Sequence, residues 1–437
     1  MKKNDILNVD IVDIGINFEG IAKLDSFVIF IPNVLLNENV DIVITKINKN
    51  FGFGRVIKIV KKSEYRIDSI CDVSNKCGGC DLQHIDYSYS LKLKYNLVKN
   101  ILDKQKINYL KLFYTIGMDN YLNYRNKVIY PVRNNKIGFY RKNSHDIIEN
   151  SNCFIESNNI LVKNIFLNLI KHFTSYNEES NTGDIRNIII RTSKYFDEVL
   201  VIIVVNNIID KKIIYDIFKK FNVTSGYINI NNNKTNEVLG DTTIHIYGDK
   251  YIKDSINNYI FYIGPTTFFQ VNTLQTEVLY SKLNELLKLN NTDILFDLYS
   301  GIGTIGIYLS KFVDKVYGIE INCESVKLAN MNILKNNIKN AEYIAGDVKD
   351  KIEEYNIRNI HPSVIVVDPP RKGLGIDTIN NILKFKPNKI GYISCNPITL
   401  ANDLKLFTDY YTIDVIVPVD MFPMTKHVEC VCVMKLR

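Results

Sequence analysis

From residue 291 onward the chain alternates short apolar runs with helical patterns, and this rhythm constrains the fold more than any other feature. Apolar runs at 294–298, 315–319, 341–345, 363–367 and 389–393 predict five strands, with helices between them such as 323–336. Strands separated by crossover helices pair in parallel and bury both faces, so the pattern predicts a doubly wound, Rossmann-like α/β sheet. Gly301-x-Gly303-x-x-Gly306 follows the first run and opens a helix. Glycines there permit a tight turn and close approach of backbone to a ligand.

Open α/β sheets bind ligands at the carboxyl edge of their strands. Tyr299, Glu320, Asp347, Asp368 and Cys395 all fall at such ends. The glycine loop and Glu320 alone fit a dinucleotide equally well, since a carboxylate there binds ribose hydroxyls. Acids at nearly every strand end instead suit a cationic, adenosine-bearing cofactor, S-adenosylmethionine. Acids after strands also serve as helix caps, but Asp368 precedes Pro369-Pro370, where no helix begins.

Ser394-Cys395-Asn396-Pro397 follows the last apolar run. A cysteine at a strand end, in a tight Asn-Pro turn, is placed as a nucleophile. Carbon 5 of a pyrimidine reacts poorly until a nucleophile adds at carbon 6, and a thiolate can do this. The proton left on carbon 5 then needs a base. Glu429 lies in the otherwise apolar Val428–Val433 run, where burial raises its pKa. Its competing role is an ion pair with Lys426.

The 437 residues point to several domains, and 46% hydrophobic with 23% charged residues indicates a globular chain. No run reaches the ~18 apolar residues of a membrane span. The polar start, Met1-Lys2-Lys3-Asn4-Asp5, leads to an expected cytoplasmic location. Short strands punctuated by turn residues, at Val9–Ile14, Phe27–Ile31, Val40–Ile47 and Gly54–Val60, predict a small β-barrel. Residues 61–290 carry 30 basic and 23 acidic residues, the whole net charge of +7. Within them, 121–142 holds six basic residues and no acid, including Arg125, Lys127 and Arg133, interleaved with Tyr121, Tyr124, Tyr130, Phe139 and Tyr140. Cations for phosphates with aromatic faces for bases compose a single-strand nucleic-acid groove. A basic hairpin with its tyrosines in a core is the simpler alternative. Cys71-x5-Cys77-x2-Cys80, with Cys153 downstream, supplies four thiolates around a flexible Gly78-Gly79 step, suited to zinc or an iron–sulfur cluster.

With these motifs in hand the chain resembles, over essentially its whole length, the RNA (uracil-5-)methyltransferase family, in its 23S ribosomal-RNA type. Gly20-Ile21-Ala22 through Phe30-Ile31-Pro32 matches that family's RNA-binding TRAM barrel, with Leu36-Asn37-Glu38 departing from the usual glycine before the glutamate. The resemblance implies a [4Fe–4S] cluster on Cys71, Cys77, Cys80 and Cys153. It implies cofactor contacts from Gln270, Tyr299, Thr304, Glu320, Asp347 and Asp368, and stacking of Phe268 on the flipped uracil. It implies Cys395 as nucleophile and Glu429 as base. A DNA cytosine enzyme would carry Pro-Cys after the fourth strand, where this chain has Asp368-Pro369-Pro370-Arg371.

The expected organisation is a TRAM barrel over 1–60, a central α+β RNA-binding domain with the cluster over 61–260, and the catalytic domain over 261–437. The expected activity is methylation of a 23S ribosomal-RNA uridine by a monomer that binds no DNA and no membrane. The same chemistry on the T-loop uridine of transfer RNA, and a catalytically idle RNA-binding iron–sulfur protein, are the alternatives.

Overall fold

Apolar character on both faces of the 294–298 and 363–367 runs places them at the centre of the largest sheet. A computed structural model describes residues 1–150, 152–156 and 158–437. Its eight-stranded sheet runs in the order Ala341–Ala345, Lys315–Glu320, Ile294–Leu298, Val364–Val367, Lys389–Ser394, Glu429–Leu436, Tyr411–Val419, Tyr109–Leu112. The first five are parallel, and Glu429–Leu436 enters antiparallel beside Lys389–Ser394. That pairing sets Ser394 opposite Cys430, so the Cys395 turn and Glu429 lie at the same end of the sheet. The α/β expectation is met, and the sheet is larger than the five-strand reading. Its outermost strand, Tyr109–Leu112, comes from far upstream and pairs parallel with Tyr411–Val419.

Helices close the crossovers because their ends are capped. Asn322 accepts from Ser325 N at the start of Cys323–Lys335, and Asn396 accepts from Ile398 N at the start of Pro397–Phe407, with Pro397 in the first turn. Asp347 likewise caps Val348–Ile357 through Lys349 N.

Six strands form the N-terminal sheet around a core of Val9, Ile11, Ala22, Ile29, Ile31, Val34, Val40, Ile42 and Ile44. The single run expected at Val9–Ile14 is two strands, Ile6–Asp10 and Asp13–Ile14. The chain changes partners between them: Ile11 N bonds Glu38 O, while Val12 N bonds Ile21 O. Gly20–Leu24 is a strand that the turn-rich sequence concealed. A Cβ on Gly20 would fall 2.2 Å from Val34 Cγ2, so only glycine permits that crossing. At the departure from the family pattern, Asn37 takes the left-handed conformation (φ 65°) in place of glycine. Glu38 beside it is buried, accepting from Leu35 N and pairing with Arg66 at 2.5 Å.

Between these units lies a second six-stranded sheet, in which Lys127–Arg133 pairs with Ile185–Thr192. Helices Asn159–Leu169 and Lys211–Lys220 bury its far face. Among the described residues no helix is long and apolar enough to cross a membrane.

Candidate active site

At the carboxyl edge of the large sheet is a cavity of about 890 Å³. Phe268, Gln270, Tyr299, Glu320, Asp347, Asp368, Cys395 and Glu429, all expected from the sequence, line it together. Thr304 does not. Its hydroxyl is 2.8 Å from Tyr280 OH, and it starts the helix behind the glycine loop. Phe268 is 61% exposed, an aromatic face offered at the mouth.

The glycine loop is held by two carboxylates. Gly306 N donates to Asp297 Oδ2 at 2.9 Å, and Gly301 N to Glu320 Oε2 at 3.0 Å. Asp297 was missed as a site residue, although it starts the motif. Burial pushes its carboxyl up to about 7, and its second oxygen has no partner among the described residues. Tyr299 is strained at φ 64°, which turns its ring into the cavity.

At the other end, Gln270 Nε2 donates to Asp368 Oδ2 at 3.2 Å. Burial raises the Asp368 carboxyl to about 7. Glu429 is 3% exposed with Oε2 unpartnered, and it has no ion pair with Lys426 among the described residues. Burial first, then the neighbouring Asp368 charge, lifts its pKa well above the ordinary value, against the pull of Arg371. The Cys395 thiol is half-buried. Burial pushes it up to about 11, with Glu429 and Asp368 adding and Arg371 opposing. Two like-charged carboxyls in a dry pocket do not both ionise readily, so the pair holds a proton near neutral pH.

Arg371 is another residue that sequence reasoning passed over. It follows Asp368-Pro369-Pro370 and lines the cavity, and its charge acts on both Cys395 and Glu429. Asn396 Nδ2 and Thr399 Oγ1 each donate to its carbonyl at 3.2 Å, which ties the Cys395 turn to the Asp368 segment. Phe422 is a third omission: it lines the same cavity from the loop before Glu429.

A second, larger hollow of about 1330 Å³ separates the N-terminal sheet from the central one. Phe30, Phe53 and Arg55 face it from one side, and Tyr140, Arg141, Lys142 and Lys234 from the other. Arg133, expected among the groove cations, also lines this hollow. Its guanidinium is buried, paired with Glu178 at 2.7 Å and donating to Arg186 O and Val132 O, so its charge is committed internally. Tyr124 and Tyr130 are likewise core residues rather than base-stacking faces. Arg125 and Lys127 are half-buried, the former donating from Nε to Lys127 O at 3.0 Å.

Cys71, Cys77 and Cys80 are buried and Cys153 is half-buried. Cys80 and Cys153 pack in one cluster with Tyr124 and Ile155, and Cys80 lies within electrostatic reach of Cys77 and Cys71. Gly79 N donates to Cys77 Sγ at 3.4 Å and Asn150 Nδ2 to Cys71 Sγ at 3.8 Å. The donor chemistry and the N–H⋯S bonds fit a thiolate-bound group. The expected four-thiol site is nonetheless not closed: among the described residues no three His, Cys, Asp or Glu side chains are gathered as a metal ion requires.

The tRNA (Uracil-5-)-methyltransferase family model matches residues 245–437, and the TRAM domain matches residues 2–57. An uncharacterized RNA methyltransferase of Clostridium acetobutylicum is 39% identical across 100% of this chain and 98% of its own length. The chain belongs to the RNA uracil-5-methyltransferase family. A Bacillus cereus RNA methyltransferase is similar to the same degree, 39% over 100% of this chain and 98% of its own. The crystal structure of Pyrococcus abyssi tRNA (uracil-54, C5)-methyltransferase in complex with S-adenosyl-L-homocysteine superposes with a TM-score of 0.79. It shares 27% identity and covers 98% of this chain and 99% of that one. S-adenosylmethionine is thus the cofactor of this methyltransferase family, and the acid-lined cavity is of a size to hold it.

Proposed function

We propose that this methyltransferase transfers a methyl group to carbon 5 of a uridine in 23S ribosomal RNA, with Cys395 as nucleophile and Glu429 as base. The observation that carries the reading is the convergence of Cys395, Asp368, Gln270 and Glu429 on one cavity. Cys395 Sγ, as thiolate, bonds to carbon 6 of the uracil, and the electron pair of the 5,6 double bond passes into the ring as an enolate. S-adenosylmethionine, when bound, supplies the methyl group that carbon 5 takes up. Glu429 as carboxylate then removes the carbon 5 proton, the double bond re-forms, and Cys395 Sγ leaves carbon 6. A raised pKa makes Glu429 a competent acceptor and donor in turn. Asp368, its carboxyl raised to about 7, can donate to a uracil oxygen in its protonated form, held in place by Gln270. Glu320 and Asp347 are assigned to the cofactor. Phe268 is assigned to the flipped base.

The hollow between the N-terminal and central sheets is the proposed RNA path, with Arg55, Arg141, Lys142 and Lys234 toward phosphates and Phe30, Phe53 and Tyr140 toward bases. Cys71, Cys77, Cys80 and Cys153 are proposed to hold a [4Fe–4S] cluster that folds this face, with no part in methyl transfer. A second substrate, the T-loop uridine of transfer RNA, is favoured by the likeness to the Pyrococcus transfer-RNA enzyme. Mapping 5-methyluridine in ribosomal and transfer RNA from a strain lacking the gene decides between them. Unchanged 5-methyluridine in both would remove the proposal.

A further inference from the structure

Lys127 and Arg191 are directly opposite on paired antiparallel strands, so their side chains share one face of the central sheet. Like charges in that relation repel, and burying them is costly without a carboxylate. Among the described residues neither forms an ion pair. Arg191 is 2% exposed, donates from Nη2 to Thr267 O at 3.1 Å, and leaves Nη1 without a partner. The carboxylate acting on Arg191, Asp254, already accepts from Ser193 Oγ, Thr273 Oγ1 and the N–H groups of Lys194, Tyr195 and Ser255. Arg125 adds a third positive charge. Burial, then Arg191 and Arg125, depress the Lys127 ammonium to about 7. Such frustration persists where a ligand relieves it.

The location names that ligand. Asn126, next to Lys127, donates from N to Val271 O at 2.8 Å and from Nδ2 to Gln270 O at 2.9 Å. Gln270 in turn holds Asp368. Arg191 grips Thr267 on the other side, so exposed Phe268 projects between the two contacts. From Lys127 the same strand face continues through Ile129 and Pro131, which line the hollow beside the N-terminal sheet. Lys127 therefore lies on the strand between Ile129, which lines the hollow, and Asn126, which holds the cavity residue Gln270.

We infer that Lys127, backed by Arg191, is the seat for a backbone phosphate of the unpaired nucleotide adjoining the flipped uridine. The inference rests on the RNA reading above. An anion there satisfies the orphaned positive charge and fixes the strand at the point where the base must leave its stack. Lys127 makes the contact, and Arg191 is a positioning residue that acts through it.

The test is fluorescence anisotropy with a short single-stranded oligouridylate over a range of salt. Lys127→Met should lower the slope of log K against log salt by about 0.7, the share of one phosphate contact on a single strand. Lys127→Arg should keep the wild-type slope, and S-adenosylhomocysteine affinity should be unchanged in both, which also reports that the variants are folded. An oligouridylate with neutral methylphosphonate links should bind wild type and Lys127→Met alike. An unchanged slope in Lys127→Met, or no binding of the charged oligouridylate by wild type, overturns the seat. Position is read separately, from adduct formation at Cys395 with RNA containing one 5-fluorouridine. A single methylphosphonate at the adjoining link should slow adduct formation in wild type, and the same link placed further away should not. Equal slowing at both places overturns the assigned position. Absence of any adduct, with the expected salt slopes, removes the methylation reading and leaves a phosphate seat.

Discussion

Lys94 and Asp420 form a 2.6 Å ion pair with both side chains at 0% exposure, 326 residues apart in sequence. Tyr87 OH donates to the second Asp420 oxygen at 3.0 Å, and Lys94 Nζ also donates to Phe422 O at 3.2 Å. The helix Tyr87–Lys104 thereby pins the loop that carries Phe422 into the cavity and leads to Glu429. The next residues of the loop reach the cysteine-bearing segment, where Asp81 N and Leu82 N both donate to Met424 O.

Removing one partner of a buried pair strands the other charge. Lys94→Met should therefore cost about 3–5 kcal/mol in urea unfolding. Lys94→Met with Asp420→Leu should recover most of that loss, because the uncompensated carboxylate is gone. A double variant as unstable as the single one would mean that the loop, not the charge, is the weak point.

Cys395→Ala should abolish methylation. In wild type, RNA carrying 5-fluorouracil at the target should form a covalent adduct that needs the cofactor. Because the thiol is raised to about 11, its thiolate fraction grows about tenfold per pH unit across the neutral range. The kcat/KM should climb with pH between about 6 and 9, where a low-pKa thiol would give a plateau.

Glu429→Gln should stall after methyl transfer, with a slow-migrating protein–RNA species on a denaturing gel from ordinary uracil substrate. The same variant has a stability signature. The folded Glu429 carboxyl sits above its ordinary 4.5, so the folded state holds a proton that the unfolded state releases. Wild type then loses stability as pH rises from that value toward the folded pKa. Glutamine has no proton to lose. The Tm of Glu429→Gln relative to wild type should rise with pH above about 5; a constant offset would place Glu429 in a polar, solvated setting.

Arg371 is the cation that opposes the upward shifts of both Cys395 and Glu429. Arg371→Met should move the kcat/KM profile to higher pH and reduce it roughly tenfold or more at neutral pH, since each unit of thiol pKa is worth about 1.4 kcal/mol. Arg371→Lys should restore part of the shift. A loss of rate with the pH profile in place would point to Arg371 binding RNA alone.

Protein purified anaerobically with iron supplied should be brown and hold about four irons per chain. Cys80→Ser should bleach it and weaken RNA binding more than S-adenosylhomocysteine binding. A colourless protein with one zinc would replace the cluster and leave the methylation proposal standing.

The strand ends were legible because period and punctuation are local. Apolar runs followed by Tyr299, Glu320, Asp347, Asp368 and Cys395 fix which side chains stand at the edge of a parallel sheet, since parallel pairing aligns those ends by geometry. Glu429 was visible as a charge within an apolar run. Other features depended on contacts between distant segments. No pattern in Tyr109–Leu112 announces that it completes a sheet built mostly from residues after 290, or that Lys94 finds Asp420. The basic stretch at 121–142 told composition and not partners: Arg133 is engaged by Glu178 at the hollow, while Lys127 is set against Arg191 beside Phe268. Sequence determined the local chemistry, because propensity and hydrophobic period act over a few residues. Tertiary structure decided which charges are compensated, because burial and pairing belong to residues that the chain itself keeps far apart.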